Sequence, residues 1–460
     1  MKEQINKTCF NGIKMRLFIF LIAITTLSFS SCKKYLEEKP DKKLSTPSTI
    51  EDLEAILDNY KTLNTRYPSA GEIGSDNYYL TDTDWASIIE RQRNFYLWQK
   101  YDDIGGDWSV PYNNIFYANI ILETLDKIQT DNSTRTDQLK GSALFIRGFN
   151  HFSLSQLFAP PYNADAAIKD LGIPIRLHSD VNIIPVRATI PETYYSILSD
   201  LKNAVPLLPV YPIIKYHPSR PAAYALLARV YLSMSEYDKA GLYADSCLQL
   251  YNRLMDYNSI NTSSTIPFRQ FNDEVIYDAR TGSPAALVQS KAKVDTTLYS
   301  LYGMNDLRRT IFFKSNTNGS KAFKGNYTGI SSAALFVGLA TDEAYLIRAE
   351  SFARQGKTTV AIQDLNTLMV KRWKAGTFNP FVLTDATETL RIILEERRKE
   401  LLYRTLRWSD LRRLNKEANF ADTIYRKING QKYQLLPGSQ RYTFQIDRQA
   451  INISGIQQNP

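Results

Sequence analysis

The chain has 460 residues, a formal net charge of +9 and only three cysteines. Its basic and acidic residues are interleaved, so no stripe forms that would neutralise a row of phosphates, and nucleic acid is not the expected partner. With no disulfide framework to draw on, stability must come from a hydrophobic core, for which this length is ample.

Leu17 to Phe29 form a mostly apolar run, too short to cross a bilayer as a helix but suited to the h-region of a secretory signal. Ser30 and Ser31 precede Cys32, and the polar run KKYLEEKPDKK follows it. This is the arrangement of a bacterial lipoprotein signal: residues 1–31 are removed and the Cys32 thiol takes the lipid. The plainer alternative is an ordinary signal peptide with an incidental cysteine. Lys14 and Arg16 flank Met15 and would make a compact n-region if translation began there. Removing residues 1–31 takes away four basic residues and one acidic residue, so the mature charge is +9 − (4 − 1) = +6. Cys247 is then the only cysteine besides the anchor.

Next comes an aromatic-rich segment, GEIGSDNYYLTDTDWASIIERQRNFYLWQKYDDIGGDWSVPY, with Tyr78, Tyr79, Trp85, Trp98 and Trp108. A flat ring stacks on the C–H face of a sugar while neighbouring polar groups take the hydroxyls. Tyr78, Tyr79 and Trp85, flanked by polar residues, are the candidate ligand-binding residues; Trp98 and Trp108 read as core anchors. Asp76, Asp82, Asp84, Asp102, Asp103 and Asp107 lie in the same stretch. They raise the alternative of a glycosidase, which needs two acids flanking a sugar ring. Loop aspartates are more commonly solvated turn formers, and that reading predicts binding without catalysis. Gly105–Gly106 is a turn signal.

Helical periodicity dominates the rest. A helix is predicted from Pro111 to about Ile128. Another covers GSALFIRGFNHFSLSQLFAP, stopped by Pro160 and Pro161, and PETYYSILSDLKNAVPLLP (191–209) reads as its displaced partner. Two segments share tetratricopeptide-like offsets. In one, Tyr224, Leu227, Ala228 and Tyr231 precede Ala240 and Ala244; in the other, Tyr345, Arg348, Ala349 and Phe352 precede Ala361 and Leu365. Small Ala228 and Ala349 let a second helix approach, and Gly356 falls in the turn between the second pair. Residues 258–340 are rich in Asn, Ser, Thr and Gly without a sustained period and read as an irregular insertion decorating the helices. TLRIILEERRKELLYRTLRWSDLRR reads as one last helix with an apolar face of Leu394, Leu401, Leu402 and Trp408. Glu395–Lys399 and Glu400–Arg404 are its favourable one-turn pairs.

His151, His178 and His217 have no second ligand at metal spacing, and no nucleophile elbow, phosphate loop or zinc motif is present. The sequence therefore points to no metal, no cofactor and no enzyme. His151 sits at a helix-core position, where packing is its ordinary role.

Several blocks together resemble the SusD and RagB nutrient-binding lipoproteins of the Bacteroidetes outer membrane. They are CKKYLEEKPD, GSALFIRGFNHFSLSQLF, GIPIRLHSDVNIIPVRATIPETYYSILSDLKNAVPLLP, DEAYLIRAESFARQGK and ERRKELLYRTLRWSDLRR, in that family's order. The resemblance implies a mainly α fold: a single domain over 32–460 with four tetratricopeptide-like helix pairs as platform and irregular segments holding the ligand. It also implies a lipid-anchored, surface-exposed protein of the outer membrane that captures a nutrient, an oligosaccharide first. Its partner would be a TonB-dependent barrel of the SusC type. A peptide-importing component and a helical protein-interaction scaffold are the alternatives.

Overall fold

The computed structural model describes residues 47–128, 133–164 and 170–460. The signal segment and Cys32 lie outside the described residues. Residues 48–460 cluster as one compact unit, mainly helical, with short two-stranded ladders between the helices.

Ten helices carry the argument: α1 Gly106–Leu125, α2 Ser133–Phe158, α3 Ile190–Leu207, α4 Arg220–Ser233, α5 Tyr237–Leu250, α6 Thr341–Arg354, α7 Thr358–Met369, α8 Ala386–Glu400, α9 Arg407–Leu414 and α10 Arg448–Ser454. Consecutive helices from α1 to α5 pack on one another, as do α5 with α6 and α6 with α7. The start of α3 is written in the sequence: Thr189 and Glu192 form a reciprocal capping box and Pro191 sits in the first turn, where its missing N–H costs nothing. Ala228 and Ala349 are fully buried, as the repeat spacing predicts. In the displaced pair Gly148 takes the same role, since a Cβ there would meet Leu201 at 3.0 Å. Gly356 has φ of +72°, a conformation glycine adopts without penalty.

Three expectations are corrected. First, α1 starts at Gly106, with Pro111 inside it. Second, the last helix is two: the chain leaves α8 after Glu400, and Tyr403 and Thr405 take positive φ values of 57° and 59° before α9 begins. Glu400 and Arg404 are therefore not one turn apart on a surface. Glu400 instead meets Arg308 at 3.0 Å and Arg372 at 2.7 Å, and Arg404 meets Asp342 at 3.0 Å, all buried. Lys399 pairs with Glu396 rather than Glu395. Third, 258–340 is not decoration. Phe268, Tyr302, Phe312, Tyr327 and Phe336 belong to the main core, and Asp306 and Arg308 are buried against α8.

Candidate functional site

Tyr78 and Tyr79 form strand β1, which pairs antiparallel with β2, Lys293–Val294, Tyr78 opposite Val294 and Tyr79 opposite Lys293. Successive side chains on a strand face opposite ways. Tyr78 accordingly points inward, only 3% exposed, packs against Tyr96 and Tyr403, and donates its hydroxyl to the Ile73 carbonyl at 3.0 Å. Burial raises its pKa well above the phenol range. Expected as a ligand residue, Tyr78 is a core residue. Tyr79 faces out, 39% exposed.

Thr81 then caps a five-residue helix, Asp82–Ala86, by accepting from the Asp84 N–H. That turn carries Trp85, half-buried, packed on the core, with the Arg93 guanidinium 5.7 Å from its ring centroid. Its Nε1 has no hydrogen-bond partner. Beside it, Lys293 Nζ donates to Asp84 at 2.6 Å and Lys291 Nζ to the Ser87 hydroxyl at 2.6 Å. Burial alone would raise the Asp84 carboxyl, but hydrogen bonds from Lys293 and Thr81 outweigh it and hold the group below its usual range. The result is a surface of one exposed phenol and one partly exposed indole, bordered by hydroxyl, carboxylate and ammonium groups. Such a surface can stack a ring and bind its hydroxyls.

Four other aspartates of this stretch, Asp76, Asp82, Asp102 and Asp107, tie segments of the scaffold together. Asp76 accepts from Arg398 at 2.8 Å and from Arg407 at 2.7 Å; burial opposes its ionisation, yet the two guanidiniums keep its pKa far below normal. Asp107 is capped by the N–H groups of Ser69 and Ala70, and burial pushes it up to about 6. Asp102 pairs with Arg448, and Asp82 accepts from the Asn429 N–H. The turn-former reading is thus corrected for Asp76 and Asp107, which are half-buried clamps. Trp98, donating to the Gly74 carbonyl, and Trp108 are core anchors, as predicted. His151 is buried, accepts from the Arg176 N–H at 3.3 Å, and is held neutral by burial, its pKa down to about 3.

Sequence reasoning missed Lys291 and Lys293, which lie in a stretch without period and reach Ser87 and Asp84 only through the β1–β2 ladder. It also missed a buried carboxylate trio, Glu274, Asp342 and Glu400, whose oxygens lie within 4.8 Å of one another. Arg372, Arg308 and Arg404 already engage these acids, so guanidiniums supply the positive charge there. Two clefts were equally illegible. One of about 540 Å³ lies between α1 and α10, with Trp108, Tyr112 and Phe116 along one wall. The other, of about 470 Å³, lies beside α9.

Among the described residues no helix is long and apolar enough to cross a membrane. Residues 34–232 match a family profile described as "Starch-binding associating with outer membrane", and residues 288–459 match one described as "SusD family". SusD-like protein P2 of Formosa agariphila is 21% identical over 470 residues, covering 87% of this chain and 91% of that protein. A putative sugar binding protein from Bacteroides vulgatus superposes with a TM-score of 0.74 at 24% identity, over 90% of this chain and 99% of its own. Surface glycan-binding protein A from Bacteroides uniformis gives 0.67 at 17% identity, over 89% and 99%. At such identities the two structures establish the shared fold.

Proposed function

The chain belongs to the SusD/RagB family, and from that premise we propose that it is a carbohydrate-binding lipoprotein of the outer membrane, a single domain after removal of its signal. It captures an oligosaccharide without altering it and passes it to a TonB-dependent barrel of the SusC type. Cys32 carries the lipid. Tyr79 and Trp85 are the stacking residues, and Tyr78 supports Tyr79 from beneath.

What carries this reading is the β1–β2 ladder, which brings the aromatic segment and the inserted segment together from more than 200 residues apart in sequence. It leaves Tyr79 and Trp85 accessible among groups that pair with hydroxyls. The family profile's description as starch-binding and the glycan-binding neighbour agree with it.

The test is a screen of the purified mature protein against neutral glycan and peptide panels, with product analysis on every hit. Trp85→Ala and Tyr79→Ala are expected to weaken retention of the cognate glycan severalfold, as the loss of one aromatic stacking contact of about 0.5–1.5 kcal/mol implies, with unchanged melting for Tyr79→Ala and a lower but still cooperative transition for Trp85→Ala, whose ring also packs on the core. Binding confined to peptides would retire the sugar reading, and cleavage of the ligand would overturn the non-enzymatic one.

A further inference from the structure

Most buried arginines of this protein meet carboxylates: Arg413 pairs with Glu350 at 2.6 Å, Arg397 with Asp410 at 2.9 Å and Arg372 with Glu274 at 2.8 Å. The cleft beside α9 breaks that pattern. Three cations line it, Arg187, Arg412 and Lys416, and among the described residues none of them forms a salt bridge. Arg187 donates to the carbonyls of Leu171, Gly172 and Gln457. Lys416 donates to the Tyr162 carbonyl and the Ser235 hydroxyl. Arg412, 4% exposed, donates to the carbonyls of Ser155 and Ala159 at the end of α2. The negative end of that helix offsets part of its charge, yet burial still pulls its pKa down to about 10. Among the described residues the only acidic side chain on the walls is Asp170.

The same cleft gathers buried donors that are poorly satisfied. Arg412 Nε has no hydrogen-bond partner, while the Asn415 amide and the Tyr442 hydroxyl face each other short of good hydrogen-bond geometry, and all three residues line the cleft. Native proteins pair the large majority of such groups, because an unmet buried donor costs about 1–3 kcal/mol. Three of them around one cavity of about 470 Å³, with unpaired cations beside them, make a donor-rich, acceptor-poor wall.

We propose that this cleft binds an oxyanion, the carboxylate or sulfate group of an acidic saccharide, at a site separate from the Tyr79–Trp85 surface. The anion supplies the acceptor that Arg412 lacks, better-placed acceptors for Asn415 and Tyr442, and the negative charge that Arg187, Arg412 and Lys416 lack. The rest of the sugar meets Gln440, Gln458 and Ser439 on the rim.

Isothermal titration of the mature protein with galacturonate, galactose 6-sulfate and neutral galactose tests this. At least one acidic sugar binds, galactose does not, and the affinity falls as sodium chloride is raised. The two acidic probes tell carboxylate from sulfate. Arg412→Gln removes binding, but its loss from the end of α2 can also unfold the chain, so two milder variants decide. Tyr442→Phe weakens binding roughly tenfold, the scale of one charge-assisted hydrogen bond. It leaves the melting temperature close to that of the parent, since the hydroxyl meets only the Asn415 amide and in poor geometry. Lys416→Gln weakens binding and flattens its salt dependence. The proposal is overturned if no acidic sugar binds or if both variants bind like the parent. Trp85→Ala leaves this binding intact while reducing neutral-glycan retention, so failure here is distinguishable from failure of the proposed function.

Discussion

Gly241 in α5 and Ser351 in α6 mark a close approach of the two helix pairs recognised from sequence, and they give a sharp check on that packing. A Cβ at position 241 would lie 2.1 Å from Ser351 Oγ and 2.6 Å from Ser351 Cβ. The hydroxyl can rotate away, but the Cβ cannot, so the helices must move apart. Overpacking of this kind costs about 1–3 kcal/mol. Against it, Gly→Ala inside a helix gains about 1 kcal/mol. Gly241→Ala is therefore expected to destabilise by about 0–2 kcal/mol where an uncrowded helix would be stabilised by about 1 kcal/mol. The difference is isolated by adding Ser351→Gly, which empties the space the new methyl needs. Urea unfolding of the parent, both single variants and the double variant gives the coupling, expected at about 1–3 kcal/mol in favour of the double. A coupling near zero, with Gly241→Ala more stable than the parent, would refute the close contact between α5 and α6.

Ala228→Trp and Ala349→Trp place an indole at fully buried helix contacts and should lower the unfolding midpoint by the equivalent of about 1–3 kcal/mol or more; variants that melt like the parent would disprove the pairing. Glu72 is buried, and burial lifts its pKa to about 7 from 4.5. A raised carboxyl pKa in the folded state stabilises below the unfolded value and loses that contribution as pH climbs through about 7. The span of 7 − 4.5 = 2.5 units corresponds to about 3 kcal/mol at most, so the stability difference between parent and Glu72→Gln should shift by that order between pH 4.5 and 7.5. A difference that stays flat across that range would refute it. Arg308→Met removes the guanidinium shared by Asp306, Glu396 and Glu400, leaving only Lys399 and Arg372 to offset three buried acids, and is expected to cost about 3–5 kcal/mol in chemical denaturation. Cys32→Ser should move the protein from the detergent phase to the aqueous phase, because a lone apolar run of this length does not hold a chain in a bilayer.

The helix pairs were legible because their signal is local. Ala228 and Ala349 sit at fixed offsets from Tyr231 and Phe352, and the 3.6-residue period survives whatever packs on the outer face. The candidate surface was legible only as a region. A two-residue strand is too short for its alternation to be read, so nothing in the sequence separates Tyr78, which is core, from Tyr79, which is exposed. Lys291 and Lys293 were out of reach for another reason: their roles come from pairings across some 200 residues. The last helix misled because charges one turn apart normally signal a solvated face. Here Glu400 and Arg404 are turned inward by the break at Tyr403 and Thr405, and their partners Arg308, Arg372 and Asp342 lie on other segments.

Those inward charges also bear on binding. Asp76, two residues before Tyr78, is gripped by Arg398 of α8 and Arg407 of α9, and the carbonyl of Asn77 accepts from the Asp295 N–H just after β2. Arg426, on a separate hairpin strand, Ile424–Ile428, donates to the carbonyls of Ile73 and Ser75 below them. The short strand that presents Tyr79 is thus fastened to three distant parts of the chain before any ligand arrives. A neutral sugar offers no charge to repay ordering a loose loop, so an aromatic surface fixed in advance retains more of its modest stacking energy as affinity.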